Sequence, residues 1–294
     1  MGMNITFKKD GTVIIVMKHY IEEALEAFPE NNKKKANTPA KKDLFTVDKN
    51  SPSLDEERAT IFHSLTMKVM YVCQRSRTDI ITTIAFLCTR VTKSAEQDWK
   101  EPKRLLEYLW STIDDVLILG AEDLRSIGSF VDVSFAMHED MRSHTGGGMS
   151  FGRGILMGRS TKQKLNTTTS TESEVVGAAE YLPLVVWLMK FLEHQGYKVQ
   201  SRVLYQDNIS AIRLEKNGQR SSSRRTKQID IKYFWVKDRL RSEGIEVVYC
   251  PTNSMAADFF TQPLQGAIFT KLCDIVMGRT PISSLMRHVV CNKK

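Results

Sequence analysis

Four acidic residues stand where a fold of strands and helices could bring their carboxylates together. They are Asp132 on a predicted strand, Glu174 in the first turn of a predicted helix, Asp207 at the end of another strand and Asp258 on a later helix. Hard divalent cations bind carboxylate oxygens, and Mg²⁺ prefers a few carboxylates together with water and substrate phosphate. Two such ions roughly 3.5–4 Å apart can serve phosphodiester cleavage. The four acids therefore predict a metal site that acts on a nucleic-acid backbone.

Each acid also has an ordinary structural interpretation. Glu174 follows Thr171 by three residues, which is the spacing of a helix capping box. Asp207 could cap the helix that follows it, Asp258 could be a charge on a helix face, and Asp132 could point outward from its strand. Four acids held close together repel one another unless cations neutralise them. Their joint placement therefore favours a shared metal site, while the capping role of Glu174 stays open.

A mixed sheet with helical crossovers is expected to position these acids. The glycines at 146–148 are expected to end a loop, and a helix is expected from Ser170 or Thr171 to about Gln195, bent or offset at Pro183. The order of elements from residue 126 is β-β-β-α-β-α-α-β-α, which indicates a sheet covered by helices. The predicted strands cover residues 130–135, 149–157, 164–169, 202–206 and 245–249.

The first 120 residues show a different pattern. Two short apolar runs flank Asp10-Gly11, which predicts a β-hairpin. Helical patterns follow over residues 19–28, 54–74, 78–91 and 94–110. Asp114-Asp115 imitates the metal hairpin of a polymerase, but only about 110 mostly helical residues precede it. A turn into a strand over residues 116–119 is therefore the preferred interpretation.

Charge and composition point to an intracellular protein with a polyanionic partner. The net charge is +8, which favours such a partner. Residues 213–241 hold ten Lys or Arg against three Asp or Glu, a basic band suited to phosphates. The five cysteines form no CxxC pair, and no signal peptide or membrane-length apolar run is recognised, so neither secretion nor a membrane partner is expected. The candidate nucleic-acid-binding residues are Arg224, Arg225, Lys227 and Lys232.

Six motifs occur in order between residues 130 and 266. They are VDVSF at 131–135, SHTGG at 143–147, STESE at 170–174, YQDNISAI at 205–212, RTKQIDIKY at 225–233 and ADFFTQPL at 257–264. Together they resemble the ribonuclease H domain of copia-type retrotransposon polyproteins. Residues 1 to about 120 are similar to the end of the preceding reverse transcriptase region, whose polymerase motif would lie before Met1. The resemblance implies a polyprotein fragment with a reverse-transcriptase remnant (1–120), a ribonuclease H-like domain (121–266) and a C-terminal tail (267–294).

The resemblance implies an α/β fold and a reaction. The fold would be a ribonuclease H-like five-stranded mixed sheet flanked by helices, behind a mostly helical remnant with a β-hairpin. The catalytic and metal-binding residues would be Asp132, Glu174, Asp207 and Asp258, with Asp132 bridging two Mg²⁺ ions (or Mn²⁺ in their place). Glu174 is preferred over Glu172 because it fills the last acid of the family's Ser-x-Glu-Ala-Glu pattern. The implied reaction is hydrolysis of the RNA strand of RNA–DNA hybrids by an endonuclease.

Two departures from the family pattern concern substrate contact. Gln228 stands where the family usually has His, and Gln262 stands where Lys is usual. The alternative function is therefore a catalytically idle, nucleic-acid-binding remnant of the polyprotein. The expected partners are an RNA–DNA hybrid and the remainder of the polyprotein, within a cytoplasmic particle or the nucleus.

Overall fold

The computed structural model describes residues 2–30, 34–217 and 227–285. For residues 217, 227–231 and 233 it describes the backbone alone. The strands are β1 (Asn4–Phe7), β2 (Val13–Val16), β3 (Leu117–Ala121), β4 (Ser126–Ser134), β5 (His144–Ser150), β6 (Gly152–Arg153), β7 (Met157–Lys162), β8 (Ser201–Gln206) and β9 (Glu246–Tyr249). The helices are α1 (Lys18–Glu26), α2 (Glu56–Arg75), α3 (Ile81–Arg90), α4 (Lys100–Ser111), α5 (Ser170–His194), α6 (Ile209–Asn217), α7 (Lys227–Ser242) and α8 (Gly266–Val276). Shorter 3₁₀ turns cover Thr78–Ile80, Thr252–Ser254 and Ala256–Phe260.

A five-stranded mixed sheet lies at the centre of the second half of the chain. Its strand order is β7-β5-β4-β8-β9, in which β4, β8 and β9 are parallel and β5 and β7 run antiparallel to their neighbours. A parallel pair needs a crossover connection, and α5 provides the one between the antiparallel strands and β8. Helices α5, α6 and α7 share an apolar core with this sheet. The predicted mixed sheet flanked by helices is confirmed.

The second and third strands of this sheet lie elsewhere than predicted. The strands expected at 149–157 and 164–169 are observed as β5 and β7, and the glycines at 146–148 form the middle of β5 instead of a loop. A Cβ atom added to Gly146 or Gly148 would lie 2.8 or 2.7 Å from Phe260, and one on Gly147 would lie 2.6 Å from Tyr181. The glycines therefore allow other segments to pack directly on the backbone of β5 from both faces.

Helix α5 differs from its prediction at its beginning. Its N-cap is Thr169, which is one residue before Ser170 and two before Thr171, and the helix continues through Pro183. By length and composition α5 could cross a membrane, but more than half of the qualifying stretch is buried inside the protein. In this fold it is the helix packed across the central sheet.

A four-stranded sheet joins the first half of the chain to the second. Strands β1 and β2 pair as the predicted hairpin, β3 begins after Asp114-Asp115 as predicted, and β6 adds from the second half. The predicted C-terminal tail, residues 267–294, contains most of α8. Leu272 and Val276 of this helix are buried with side chains from α2 and α4. Residues 286–294 lie outside the described part of the chain. One hydrophobic core thus contains residues from both ends of the chain.

A buried ion pair fixes this junction. The guanidinium of Arg77 donates to both oxygens of Asp79 at 2.9 and 2.7 Å, and both side chains are essentially inaccessible to solvent. The hydroxyl of Tyr108 donates to the same carboxylate at 2.7 Å and lies 3.8 Å from the Cys273 sulfur of α8. Because buried charges need such partners, this network links the turn Thr78–Ile80 with α4 and, through Cys273, with α8.

Candidate metal centre

Asp132 and Asp207 are brought together by two neighbouring parallel strands. Phe130 of β4 lies opposite Tyr205 of β8, so Asp132 and Asp207 each follow that pair by two residues. Asp132 is still within β4, and Asp207 comes directly after the end of β8. Side chains at the carboxyl ends of parallel strands are where sites form in sheets with helical crossovers.

Glu174 comes to the same place from α5, and it plays no part in capping that helix. The Thr169 hydroxyl accepts the Glu172 N–H at 3.2 Å, while the Glu172 carboxylate accepts the N–H and hydroxyl of Thr168 at 2.8 and 2.6 Å. The capping interpretation of Glu174 is therefore wrong, because Glu172 performs that role. Gly177 allows α5 to approach the sheet closely, since a Cβ there would lie 2.4 Å from Val133.

Three carboxylates form a close cluster, which we call the acidic triad: Asp132, Glu174 and Asp207. One ligand oxygen from each lies within 4.8 Å of the others. Asp132 is 8% exposed and Glu174 is 5% exposed, and Glu174 Oε2 has no hydrogen-bond partner among the described residues. A buried carboxylate oxygen without a hydrogen-bond partner, on a side chain that is grouped with two other acids, is suited to a hard divalent cation.

The pKa values show the cost of this arrangement without a cation. Burial raises the pKa of Asp132 to about 6, with a further contribution from Asp207. Burial also raises the pKa of Glu174 well above its ordinary value, and the charges of Asp132 and Asp207 add to the effect. The pKa of Asp207 is raised by burial as well. The ionised triad is therefore disfavoured unless a positive charge compensates it.

Asp258 lies beside the triad but outside its close group. It lies in the 3₁₀ turn Ala256–Phe260. Two short 3₁₀ turns follow Pro251 in place of the predicted helix. Burial raises the pKa of Asp258 to about 8, and the charges of Asp132 and Asp207 contribute to that rise. Of the four predicted acids, three converge closely and the fourth acts on them electrostatically.

Two threonines that the sequence analysis missed bind the triad. The buried Thr261 donates its hydroxyl to Asp132 Oδ2 at 2.6 Å, and Thr252 donates to Asp207 Oδ2 at 3.2 Å. Thr261 lies three residues after Asp258 in the chain, so proximity to a candidate acid was the available signal. These hydrogen bonds stabilise the ionised form of each acceptor and fix its orientation.

The predicted nucleic-acid-binding residues fall mostly outside the described part of the chain. Arg224 and Arg225 lie outside the described residues, and the side chains of Lys227 and Gln228 are also outside them. Lys232 is described, and its ammonium lies 3.7 Å from a carboxylate oxygen of Glu180. Contact with nucleic acid at these residues stays a prediction.

Comparison with known proteins identifies relatives of the chain. It is 29% identical over 284 residues to the retrovirus-related Pol polyprotein from transposon TNT 1-94 of Nicotiana tabacum, a match covering 95% of the chain and 21% of the relative. It is 27% identical over 196 residues to the Pol polyprotein from transposon RE2 of Arabidopsis thaliana, covering 66% of the chain and 13% of the relative. The transposon Ty1-LR3 Gag-Pol polyprotein of Saccharomyces cerevisiae is 23% identical over 275 residues, covering 90% of the chain and 16% of the relative.

These relatives are retrotransposon Pol and Gag-Pol polyproteins, so the predicted resemblance to such polyproteins is confirmed. No protein-family model matches the chain. The chain spans about a fifth or less of the length of these relatives.

Proposed function

We propose that the chain is a copia-type, retrotransposon-derived ribonuclease H fragment that hydrolyses the RNA strand of RNA–DNA hybrids with divalent cations. The observation that carries this proposal is the acidic triad, whose ligand oxygens lie within 4.8 Å at the carboxyl edge of β4 and β8. Carboxylates from two adjacent parallel strands and a crossing helix form a donor set suited to Mg²⁺. The similarity to retrotransposon Pol polyproteins supports a nucleic-acid substrate.

The residues of the triad would hold the cation, and Asp258 would contribute to a second ion beside it. Asp132, Glu174 and Asp207 fit the role because Glu174 Oε2 is buried without a hydrogen-bond partner in the described part of the chain and the pKa values of all three acids are raised. When bound, Mg²⁺ or Mn²⁺ supplies Lewis acidity and charge neutralisation for the attack of water on a phosphodiester.

The chain's own residues orient these acids before any substrate arrives. Thr261 donates to Oδ2 of Asp132 and so fixes the orientation of that carboxylate. Gly146 allows Thr261 to stand there, since a Cβ on Gly146 would lie 2.5 Å from the Thr261 methyl group. Donor groups fixed in this way reduce the reorganisation needed during reaction.

The division of the chain also belongs to this proposal. Residues 1–120 would be the reverse-transcriptase remnant and residues 121–266 the ribonuclease H-like part, within a longer polyprotein that would be the natural partner. Because one hydrophobic core contains side chains from α2, α4 and α8, experiments should use the full chain.

Cleavage of a labelled RNA–DNA hybrid tests the proposal. The full chain should cut the RNA strand in Mg²⁺, and a chelator should stop the cutting. Single-stranded DNA and double-stranded DNA of the same sequence are the control substrates, and they should stay intact. Salt-sensitive hybrid binding without cation-dependent cutting would contradict the proposal and favour the idle, nucleic-acid-binding remnant.

A further inference from the structure

Gln163, which the proposed chemistry does not use, is fully buried directly after the end of β7. Its backbone N–H donates to the Ser143 carbonyl at 2.8 Å. Its side-chain amide donates through Nε2 to Thr145 Oγ1 at 3.0 Å and to the Ser173 carbonyl at 2.9 Å. One buried side chain therefore joins β5 to the beginning of α5.

The chemistry of these two partners fixes the direction in which the Gln163 amide faces. A carbonyl oxygen can only accept, so the NH₂ group of Gln163 must face Ser173. The Thr145 hydroxyl accepts from the same NH₂ group and itself donates to Glu180 Oε2 at 3.3 Å. Gln163 Oε1 has no hydrogen-bond partner among the described residues. The contribution of this side chain therefore lies in its two donations.

The Ser173 carbonyl belongs to the peptide group that leads into Glu174. The atoms of this group, from the Cα of Ser173 to the Cα of Glu174, lie close to one plane. The N–H of Ser173 donates to the Thr169 carbonyl at 3.1 Å, and its hydroxyl donates to the Ser170 carbonyl at 2.6 Å. The hydrogen bond from Gln163 adds a contact from outside the helix, so it restrains the point from which the Glu174 side chain begins.

Thr145 connects the same amide to the strand that carries Asp132. In the antiparallel pair of β4 and β5, Thr145 lies opposite Val133, the residue after Asp132. The Gln163 amide therefore bridges the two elements that bring Glu174 and Asp132 together.

We propose that Gln163 is a positioning residue that holds Glu174 beside Asp132 in the acidic triad. It acts by hydrogen-bonding the peptide group before Glu174 to β5, without being a ligand of the cation itself. Groups that orient metal ligands usually change metal affinity when they are lost. This inference rests on the proposed function of the triad as a cation site.

Two substitutions separate a positioning role from a purely structural one. Gln163→Met keeps similar bulk but removes both donors. Tyr181→Phe is the matched control, because the Tyr181 hydroxyl donates to the Met157 carbonyl at 3.0 Å and so also joins α5 to β7. Tyr181 follows Glu174 by about two helical turns, so its hydrogen bond lies away from the triad.

Mn²⁺ binding to the full chain without nucleic acid is measured by calorimetry, and folding is followed by thermal unfolding. Each variant loses only hydrogen bonds between neutral groups, so its melting temperature should change by no more than a few degrees. Gln163→Met should bind Mn²⁺ roughly tenfold more weakly. Tyr181→Phe should bind Mn²⁺ like the unsubstituted protein.

The outcomes distinguish this inference from the proposed function. If the unsubstituted protein binds Mn²⁺ and cuts hybrid while Gln163→Met binds Mn²⁺ equally well, only this inference is overturned. Equal weakening in both variants also overturns it, because a general loosening of α5 would then explain the loss. Weakening by Gln163→Met alone, in a protein that does not cut hybrid, supports this inference and contradicts the proposed hydrolysis. If the unsubstituted protein does not bind Mn²⁺, both proposals are overturned. Gln163→Asn, whose side chain is one methylene too short to keep both contacts, replaces Gln163→Met if the latter does not fold.

Discussion

The hydroxyl of Thr261 donates a 2.6 Å hydrogen bond to Oδ2 of Asp132, and these two residues are 129 positions apart in the chain. Both side chains are buried, so the bond is protected from competing water. The candidate metal centre therefore depends on the packing of the turn Ala256–Phe260 against β4 and β5.

Removing that hydroxyl should weaken the site without unfolding the chain. Thr261→Val keeps the shape of the side chain but cannot donate, so Asp132 loses its fixed orientation. We expect a roughly tenfold rise in the Mg²⁺ concentration needed for half-maximal hybrid cutting. Thr261→Ser keeps the hydroxyl and is the matched control, which should stay close to the original protein. Equal behaviour of the two variants would contradict this role of the hydrogen bond.

The cation-free site should make stability depend on pH. The pKa values of Asp132 and Asp258 are raised to about 6 and about 8. The folded state therefore keeps these protons at pH values where the unfolded chain, with carboxyl pKa values near 4, has released them. Their contribution to the free energy of unfolding is fully present below about pH 4 and is lost as pH rises through about 6 and 8.

Asp258→Asn should reduce the loss of folding stability that accompanies rising pH. Urea unfolding is measured in the presence of a chelator at a series of pH values. The free energy of unfolding of the variant, relative to that of the original protein, should rise between about pH 4 and 8. Saturating Mg²⁺ should shrink the difference, because the cation compensates the ionised acids. Parallel pH profiles for the two proteins in chelator would show that Asp258 is not the strained group inferred here.

The glycines of β5 should resist even a single methyl group. Gly147→Ala would place a Cβ 2.6 Å from the ring of Tyr181, so we expect a loss of about 1–3 kcal/mol in the free energy of unfolding. Gly128→Ala is the matched control in β4, because its Cβ would meet its nearest neighbour at an ordinary 3.7 Å. Urea denaturation measures both variants. A Gly147→Ala protein as stable as the control would contradict the close packing on β5.

The buried Arg77–Asp79 pair should be essential to the junction between the two halves of the chain. Asp79→Asn leaves the Arg77 guanidinium buried without a full countercharge, so we expect a loss of about 3–5 kcal/mol. Asp123→Asn is the surface control, because its ion pair with Arg125 is exposed to solvent and should contribute little to stability. Denaturant unfolding followed by tryptophan fluorescence compares the two, and similar stabilities would contradict this role.

The sequence alone predicted the parts of the fold that depend on local patterns. The hairpin at Asp10-Gly11 and the mixed sheet came from turn chemistry and hydrophobic periodicity. The acids at 132, 174 and 207 converge as expected. Asp132 lies near the end of β4 and Asp207 directly after β8, whereas Glu174 is the fifth residue of α5 and lies beyond the predicted first turn, which holds Glu172 instead.

The parts that the sequence did not predict depend on contacts between distant segments. The glycines of β5 have the composition of a loop, and only Phe260 and Tyr181 explain why they form a buried strand. Thr169 and Thr171 are equally good capping residues. Only the hydrogen bonds of Glu172 show that Thr169 is the N-cap of α5.

The most direct test of the account is the effect of Asp132→Asn on hybrid cutting by the full chain. Asparagine keeps the size of the side chain but removes the charge that a cation requires, so cutting should fall about 100-fold or more. Asp123→Asn, the same substitution at an exposed acid, should cut like the original protein. Undiminished cutting by Asp132→Asn would contradict the assignment of the acidic triad as the catalytic centre.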